Sequence, residues 1–80
     1  MKYELYHMRY CPYCVKVQKY IEKSGREDIV YKDIQADPLA YRQLLEIGKK
    51  DQVPCLIKDG KALYESDDII AYLQAHPQGM

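Results

Sequence analysis

Between residues 2 and 7 polar and apolar side chains alternate, with Tyr3 and Leu5 on one side, a period of two that predicts a strand. After Cys11 the period lengthens. Cys14, Val17, Tyr20 and Ile21 recur at helical spacing to about Lys23. Pro12 suits the first turn because its missing N–H would be unpaired there anyway, and Ser24-Gly25 stops the helix. Residues 29–34, rich in β-branched side chains, predict a second strand. Asp37 then offers a cap ahead of a first-turn proline, Pro38. Leu39, Leu44, Leu45 and Ile47 supply the apolar face of a second helix, which Gly48 is expected to close. Cys55-Leu56-Ile57 and Ala62-Leu63-Tyr64 flank a turn at Asp59-Gly60 and predict a hairpin. Ser66 is expected to cap a last helix whose first turn holds Asp67 and Asp68, both favourable against the helix dipole. Ile69, Ile70 and Leu73 form its inner face, and His76-Pro77 ends it.

The order is β-α-β-α-β-β-α. The first two strands, separated by a helix, should run parallel through a right-handed crossover, and the last two antiparallel. The expected fold is α/β, a mixed four-stranded sheet with three helices in one domain spanning residues 1–80. Neither a repeat nor an internal linker interrupts it.

Charge narrows the function. Twelve basic and twelve acidic residues give zero formal net charge, and the Lys49-Lys50 pair is too short to make a basic stripe. No nucleic-acid partner is expected. The longest apolar runs are a few residues, too short to span a membrane, and the segment MKYELYHMRY lacks the apolar centre of a signal peptide. A cytoplasmic, reducing setting follows as the expectation. Nine tyrosines stand beside no phenylalanine or tryptophan. They suit the edges of a small core, where the ring packs and the hydroxyl reaches water.

Three cysteines remain to be explained: Cys11, Cys14 and Cys55. A Cys11–Cys14 bridge closes so short a loop that it would staple little. A structural zinc takes four ligands, whereas one CxxC pair is accompanied only by the scattered Cys55, His7 and His76, so no metal is expected. Reactivity is the better account. Cys11 directly precedes a helix, whose start carries unpaired N–H groups and roughly half a positive charge. Its sulfur is favoured as a thiolate, the nucleophile of disulfide exchange. Cys14, one turn on, faces the same side and suits a resolving thiol. Arg9 and His7 are candidates for added positive potential. CxxC at the end of a first strand in such a unit is a thioredoxin-like redox motif.

Cys11-Pro12-Tyr13-Cys14 after the first strand, Val53-Pro54 before the third and Glu65-Ser66-Asp67 opening the last helix together resemble a glutaredoxin of the CPYC type. The likeness covers essentially the whole chain. Gln52-Val53-Pro54 and LYESDDIIAYL, residues 63–73, are also similar to the N-terminal domain of glutathione transferases, especially the transferase-like glutaredoxins. The resemblance implies a glutathione-dependent thiol–disulfide oxidoreductase of thioredoxin-like fold. Glutathione would be its electron donor, no metal its cofactor, and glutathionylated or disulfide-containing proteins its substrates, with the chain acting as a monomer. It also implies Cys11 as nucleophile and Cys14 as resolving thiol. Pro54 would be cis, leaving the Val53 backbone to pair with the cysteinyl unit of glutathione. Ser66 and the neighbouring N–H groups would take the γ-glutamyl carboxylate, and Asp67 its ammonium. Asp68 would be a plain surface acid. Tyr13 would lie along the tripeptide, with Arg9, Lys50 and Gln52 completing the glutathione site.

The chain departs from that pattern at Met8, where many members carry lysine, and at Gln52, where threonine is common. Spacing does not decide between Lys49 and Lys50 for the glycyl carboxylate. Cys55 reads as a small buried hydrophobe or as a third redox thiol. Two rival functions remain. One is a thioredoxin-like electron donor recharged by a flavoprotein reductase; the other is a carrier sharing an iron–sulfur cluster between two chains. Glutathione conjugation is not expected of a chain that ends at Met80 without a helical second domain.

Overall fold

The structure is a computed structural model and describes residues 2–77. Its elements are β1 (Tyr3–His7), α1 (Pro12–Ser24), β2 (Ile29–Asp33), α2 (Pro38–Gly48), β3 (Cys55–Lys58), β4 (Lys61–Tyr64) and α3 (Ser66–Ala75), in the expected order. The four strands form one sheet in the order β2-β1-β3-β4. β1 runs parallel to β2, with Tyr3 opposite Ile29 and His7 opposite Asp33, and antiparallel to β3, with Leu5 opposite Leu56. β3 and β4 form the antiparallel hairpin. Asp59 and Gly60 between them both take positive φ, +50° and +74°, as a two-residue hairpin loop of the I′ kind requires. This is the thioredoxin-like α/β fold expected.

Successive residues of a strand face opposite sides of the sheet, so the central strands feed two cores. Tyr3, Leu5 and Leu56 meet Val17 and Ile21 of α1 and Ile69 and Leu73 of α3 on one side. Tyr6, Cys55 and Ile57 meet Ile34 and the α2 residues Ala40 and Leu44 on the other. Each fully buried leucine or isoleucine here contributes about 1.5–3 kcal/mol. The two helices that share a face, α1 and α3, bring their N-termini to the same end as the Cys11 turn.

The start of α2 and the end of α1 follow the sequence. Asp37 accepts from the Leu39 amide at 3.0 Å ahead of Pro38, the expected cap. Gly25 closes α1 in the left-handed region at φ +73°. The closure of α2 differs from expectation. Lys49, at φ +66°, is the left-handed residue, and its N–H reaches the Leu45 carbonyl at 3.1 Å. Gly48 is required for space: a Cβ there would run into the hydroxyl of Tyr64. Ser66 also differs. It is the buried first residue inside α3, and Glu65 occupies the capping position at φ +71°, ψ +121° with no capping side-chain bond. The chain turns so sharply from β4 into α3 that Ser66 is carried past the cap.

Candidate active site

Beyond His7 the chain turns at Tyr10, held at φ +63°, and delivers Cys11 in extended geometry (φ −101°, ψ +111°) to the start of α1. The Cys14 amide donates to the Cys11 sulfur at 3.3 Å, so the sulfur serves as the helix cap. Cys11 is partly exposed, Cys14 is fully buried, and both are free thiols. Burial first, and then the hydrogen bond with Cys11, push the Cys14 thiol up to about 12, against a smaller opposing effect from the Met8 backbone. The pair is therefore asymmetric: one sulfur meets solvent beside helix N–H groups, and the other is held as a thiol.

A cleft of about 420 Å³ opens beside this turn, lined by Tyr13, Gln52, Val53, Pro54, Glu65, Ser66 and Asp67. The Val53–Pro54 bond is cis and Pro54 is buried, which presents the Val53 backbone along one wall. The Gln52 amide donates to the Glu65 carboxylate at 3.0 Å and joins that wall to the α3 corner. Lys16 of α1 forms an ion pair with Asp67 of α3 at the rim.

Tyr13, Gln52, Val53, Pro54, Ser66 and Asp67 thus come together in one cleft next to Cys11 and Cys14. Arg9 and Lys50 do not line it. Arg9 is exposed and acts on Asp33, whose carboxyl is held low mainly by the Gln35 amide with Arg9 as a minor contributor. Lys50 sits over the ring of Tyr64 at 4.3 Å, and Lys49, whose backbone closes α2, does not line the cleft. His7 stands edge-on to Tyr31 at 5.8 Å, and burial lowers its pKa below the ordinary histidine value, which disfavours the charged form that would add positive potential. Met8, which stands where the resemblance implies lysine, packs against the α2-side core. Cys55 lies in that same core, on the opposite sheet face from α1, and burial pushes it up to about 11. Its burial fits the reading as a small core residue.

Sequence reasoning did not single out Glu65 or Lys16 as lining or rim residues. Glu65 stood within the motif, but nothing in a glutamate signals positive φ. Lys16 is one of several lysines on α1, and its partner is 51 residues away. Among the described residues no three or more His, Cys, Asp or Glu side chains converge where a metal ion could sit. No helix among them is long and apolar enough to cross a membrane.

Several solved structures are similar to this chain. A thioredoxin-like protein, BC3987, shares 26% identity over 92% of this chain and 97% of its own, with a TM-score of 0.72. Glutathione transferase Omega 3C from Trametes versicolor shares 28% identity over 100% of this chain but 36% of its own, with a TM-score of 0.80. A wheat glutaredoxin, at 23% identity over 98% of this chain and 74% of its own, with a TM-score of 0.69, is alike in fold. No curated protein matches the chain. The family model of the glutathione S-transferase N-terminal domain matches residues 5–79, nearly the whole sequence, and the chain belongs to that family.

Proposed function

We propose that this protein is a glutathione-dependent thiol–disulfide oxidoreductase, with Cys11 as nucleophile and Cys14 as resolving thiol. The observation that carries the reading is the 3.3 Å hydrogen bond from the Cys14 amide to a partly exposed Cys11 sulfur, beside a cleft walled by cis-Pro54 and Asp67. In the one-thiol route, the Cys11 thiolate attacks the glutathione sulfur of a mixed disulfide. A new S–S bond forms as the old one breaks, and the substrate leaves as a thiolate that takes a proton from water. A second glutathione thiolate then attacks the Cys11 adduct, releasing glutathione disulfide and restoring Cys11.

With a protein disulfide, Cys11 first becomes joined to the substrate. Cys14 loses its proton and attacks the Cys11 sulfur, the reduced substrate departs, and two glutathiones reduce the resulting Cys11–Cys14 bond to the dithiol. Glutathione would lie between Tyr13 and the Val53 backbone, with its γ-glutamyl end at Ser66 and Asp67. This reading treats residues 1–80 as one redox domain, monomeric and suited to a reducing cytoplasm.

A second reading, a thioredoxin-like electron donor recharged by a flavoprotein reductase, draws support from the likeness to BC3987 over nearly all of both chains. One assay separates the two: glutathione-dependent reduction of a small mixed disulfide, coupled to NADPH through glutathione reductase. The expected result is activity lost in Cys11→Ser and kept in Cys14→Ser. Failure with glutathione, together with reduction by a thioredoxin-type reductase, would select the second reading.

A further inference from the structure

The cleft carries a charge imbalance. Its lining contains two carboxylates, Glu65 and Asp67, and no lysine or arginine. Glu65 is engaged by the Gln52 amide, while Asp67 is engaged by Lys16. The γ-glutamyl end of glutathione is a zwitterion, with an ammonium and a carboxylate on one carbon. Asp67 answers the ammonium. For the carboxylate, the first N–H groups of α3 supply a partial positive charge, and the nearest full charge tied to the cleft is Lys16.

Lys16 follows Tyr13 by three residues on α1, so the two are neighbours on the helix surface, and Lys16 reaches the cleft rim through Asp67. Lys19 and Lys23 border the outer groove between α1 and α3 along with Lys16. Lys16 alone of these three is joined to a residue that lines the cleft. Its side chain is 52% exposed and that of Asp67 80% exposed. An ion pair so open to water holds weakly and exchanges partners at little cost.

We propose that Lys16 is a specificity-determining residue for the γ-glutamyl end of the ligand: it holds Asp67 in the free protein, yields Asp67 to the incoming ammonium, and pairs with the carboxylate on the same carbon. The proposal rests on the glutathione reading above. Asp67 is thereby kept from drawing in simple amines, because an amine that displaces Lys16 without bringing a carboxylate leaves the lysine without a partner.

The test uses the pre-reduced full-length protein in single-turnover exchange with three mixed disulfides that share one reporter thiol. The second half of each is glutathione, 4-aminobutyryl-cysteinylglycine, which lacks only the α-carboxylate, or glutaryl-cysteinylglycine, which lacks only the α-amino group. Lys16→Ala should slow the glutathione reaction roughly 1.5-fold to fivefold, the range of an exposed charge pair. The same change should speed the 4-aminobutyryl reaction, because Asp67 is released and no carboxylate contact is lost. Lys16→Arg should restore the glutathione rate. A general loss of structure would slow both reactions alike, so the opposite signs identify the role. If Lys16→Ala moves both reactions in the same direction by the same factor, or moves neither, the role of Lys16 is overturned while glutathione recognition stands. If the wild type treats all three probes alike, γ-glutamyl recognition itself fails, and this proposal with it.

Discussion

The side-chain amide of Gln52 donates to the carboxylate of Glu65 at 3.0 Å, fastening the loop that carries cis-Pro54 to the corner between β4 and α3. Glu65 does this from φ +71°, ψ +121°, a backbone region that glycine adopts freely and other residues occupy at a cost of about 1–3 kcal/mol. Glu65→Gly should therefore raise stability by roughly 1 kcal/mol, after losing a solvent-exposed hydrogen bond. Glu65→Ala keeps the strained backbone and loses the bond, so it should be neutral or destabilising. Urea denaturation of the two variants checks the contrast, and both should raise KM for a glutathione mixed disulfide by loosening the cleft wall.

Gly48 and Tyr64 form a second coupled pair. The Tyr64 hydroxyl is buried, its one polar neighbour is the weakly accepting Cys55 thiol, and it fills the space a Cβ at Gly48 would need. Gly48→Ala should cost about 1–3 kcal/mol by overpacking. Tyr64→Phe removes a buried polar atom whose one partner is a weak sulfur group and should change stability by less than about 1 kcal/mol. The double variant should be more stable than the sum of the singles, read from denaturant midpoints. Lys49→Gly, at φ +66°, should stabilise by about 0.5–1 kcal/mol.

Arg26 and Asp28 form a bidentate ion pair, Nε to Oδ1 at 2.7 Å and Nη2 to Oδ2 at 2.8 Å, with side chains only 4% and 10% exposed. Arg26 also donates to the carbonyls of Leu73 and His76 at 3.0 and 2.9 Å, tying down the end of α3. Removing one partner strands the other in a buried setting, so Arg26→Ala and Asp28→Asn should each cost about 3 kcal/mol or more. The hydrogen bond from Arg26 holds the Asp28 pKa below its ordinary value. Its stabilising contribution is thus complete above the ordinary carboxylate pKa and is lost as pH falls through the depressed one. Unfolding free energy measured from pH 7 down to pH 2 should fall in that acid window in the wild type, and more shallowly in Asp28→Asn.

The three thiols should separate by reactivity. Cys14 is pushed up to about 12 and Cys55 to about 11, both chiefly by burial, and only Cys11 is partly exposed. Brief treatment with iodoacetamide at pH 7.5 should modify Cys11 alone, and all three should react in urea. Peptide mass spectrometry reads the pattern. Modification of Cys55 in the folded protein would revive its role as a third redox thiol.

Much of this architecture was legible because it is decided within a few residues. Cys11-Pro12 and Asp37-Pro38 start helices through their own dihedrals and orphan N–H groups, and Asp59-Gly60 turns a hairpin by accepting positive φ. The apolar periods name the packed faces of α1 and α3, whereas on α2 the expected Leu39 and Leu45 are exposed and Ala40 packs beside Leu44. The cleft was legible in part for the same reason. Tyr13 stands beside the CxxC turn, Val53 and Pro54 adjoin in sequence, and Ser66 and Asp67 open a helix.

What tertiary structure alone decided are the relationships between distant residues. The register that pairs Cys55 with Tyr6 puts it on the far side of the sheet from α1, in the core beneath α2. Tyr64, sixteen residues on, explains Gly48, and the α3 corner moves the cap from Ser66 to Glu65. Lys50 is drawn to an aromatic ring and Lys16 to Asp67. A lysine has the same local signature on any exposed helix or loop. Its partner is chosen by which charges and rings the packed sheet and helices bring within a few ångströms, and that choice exists only once the chain has folded.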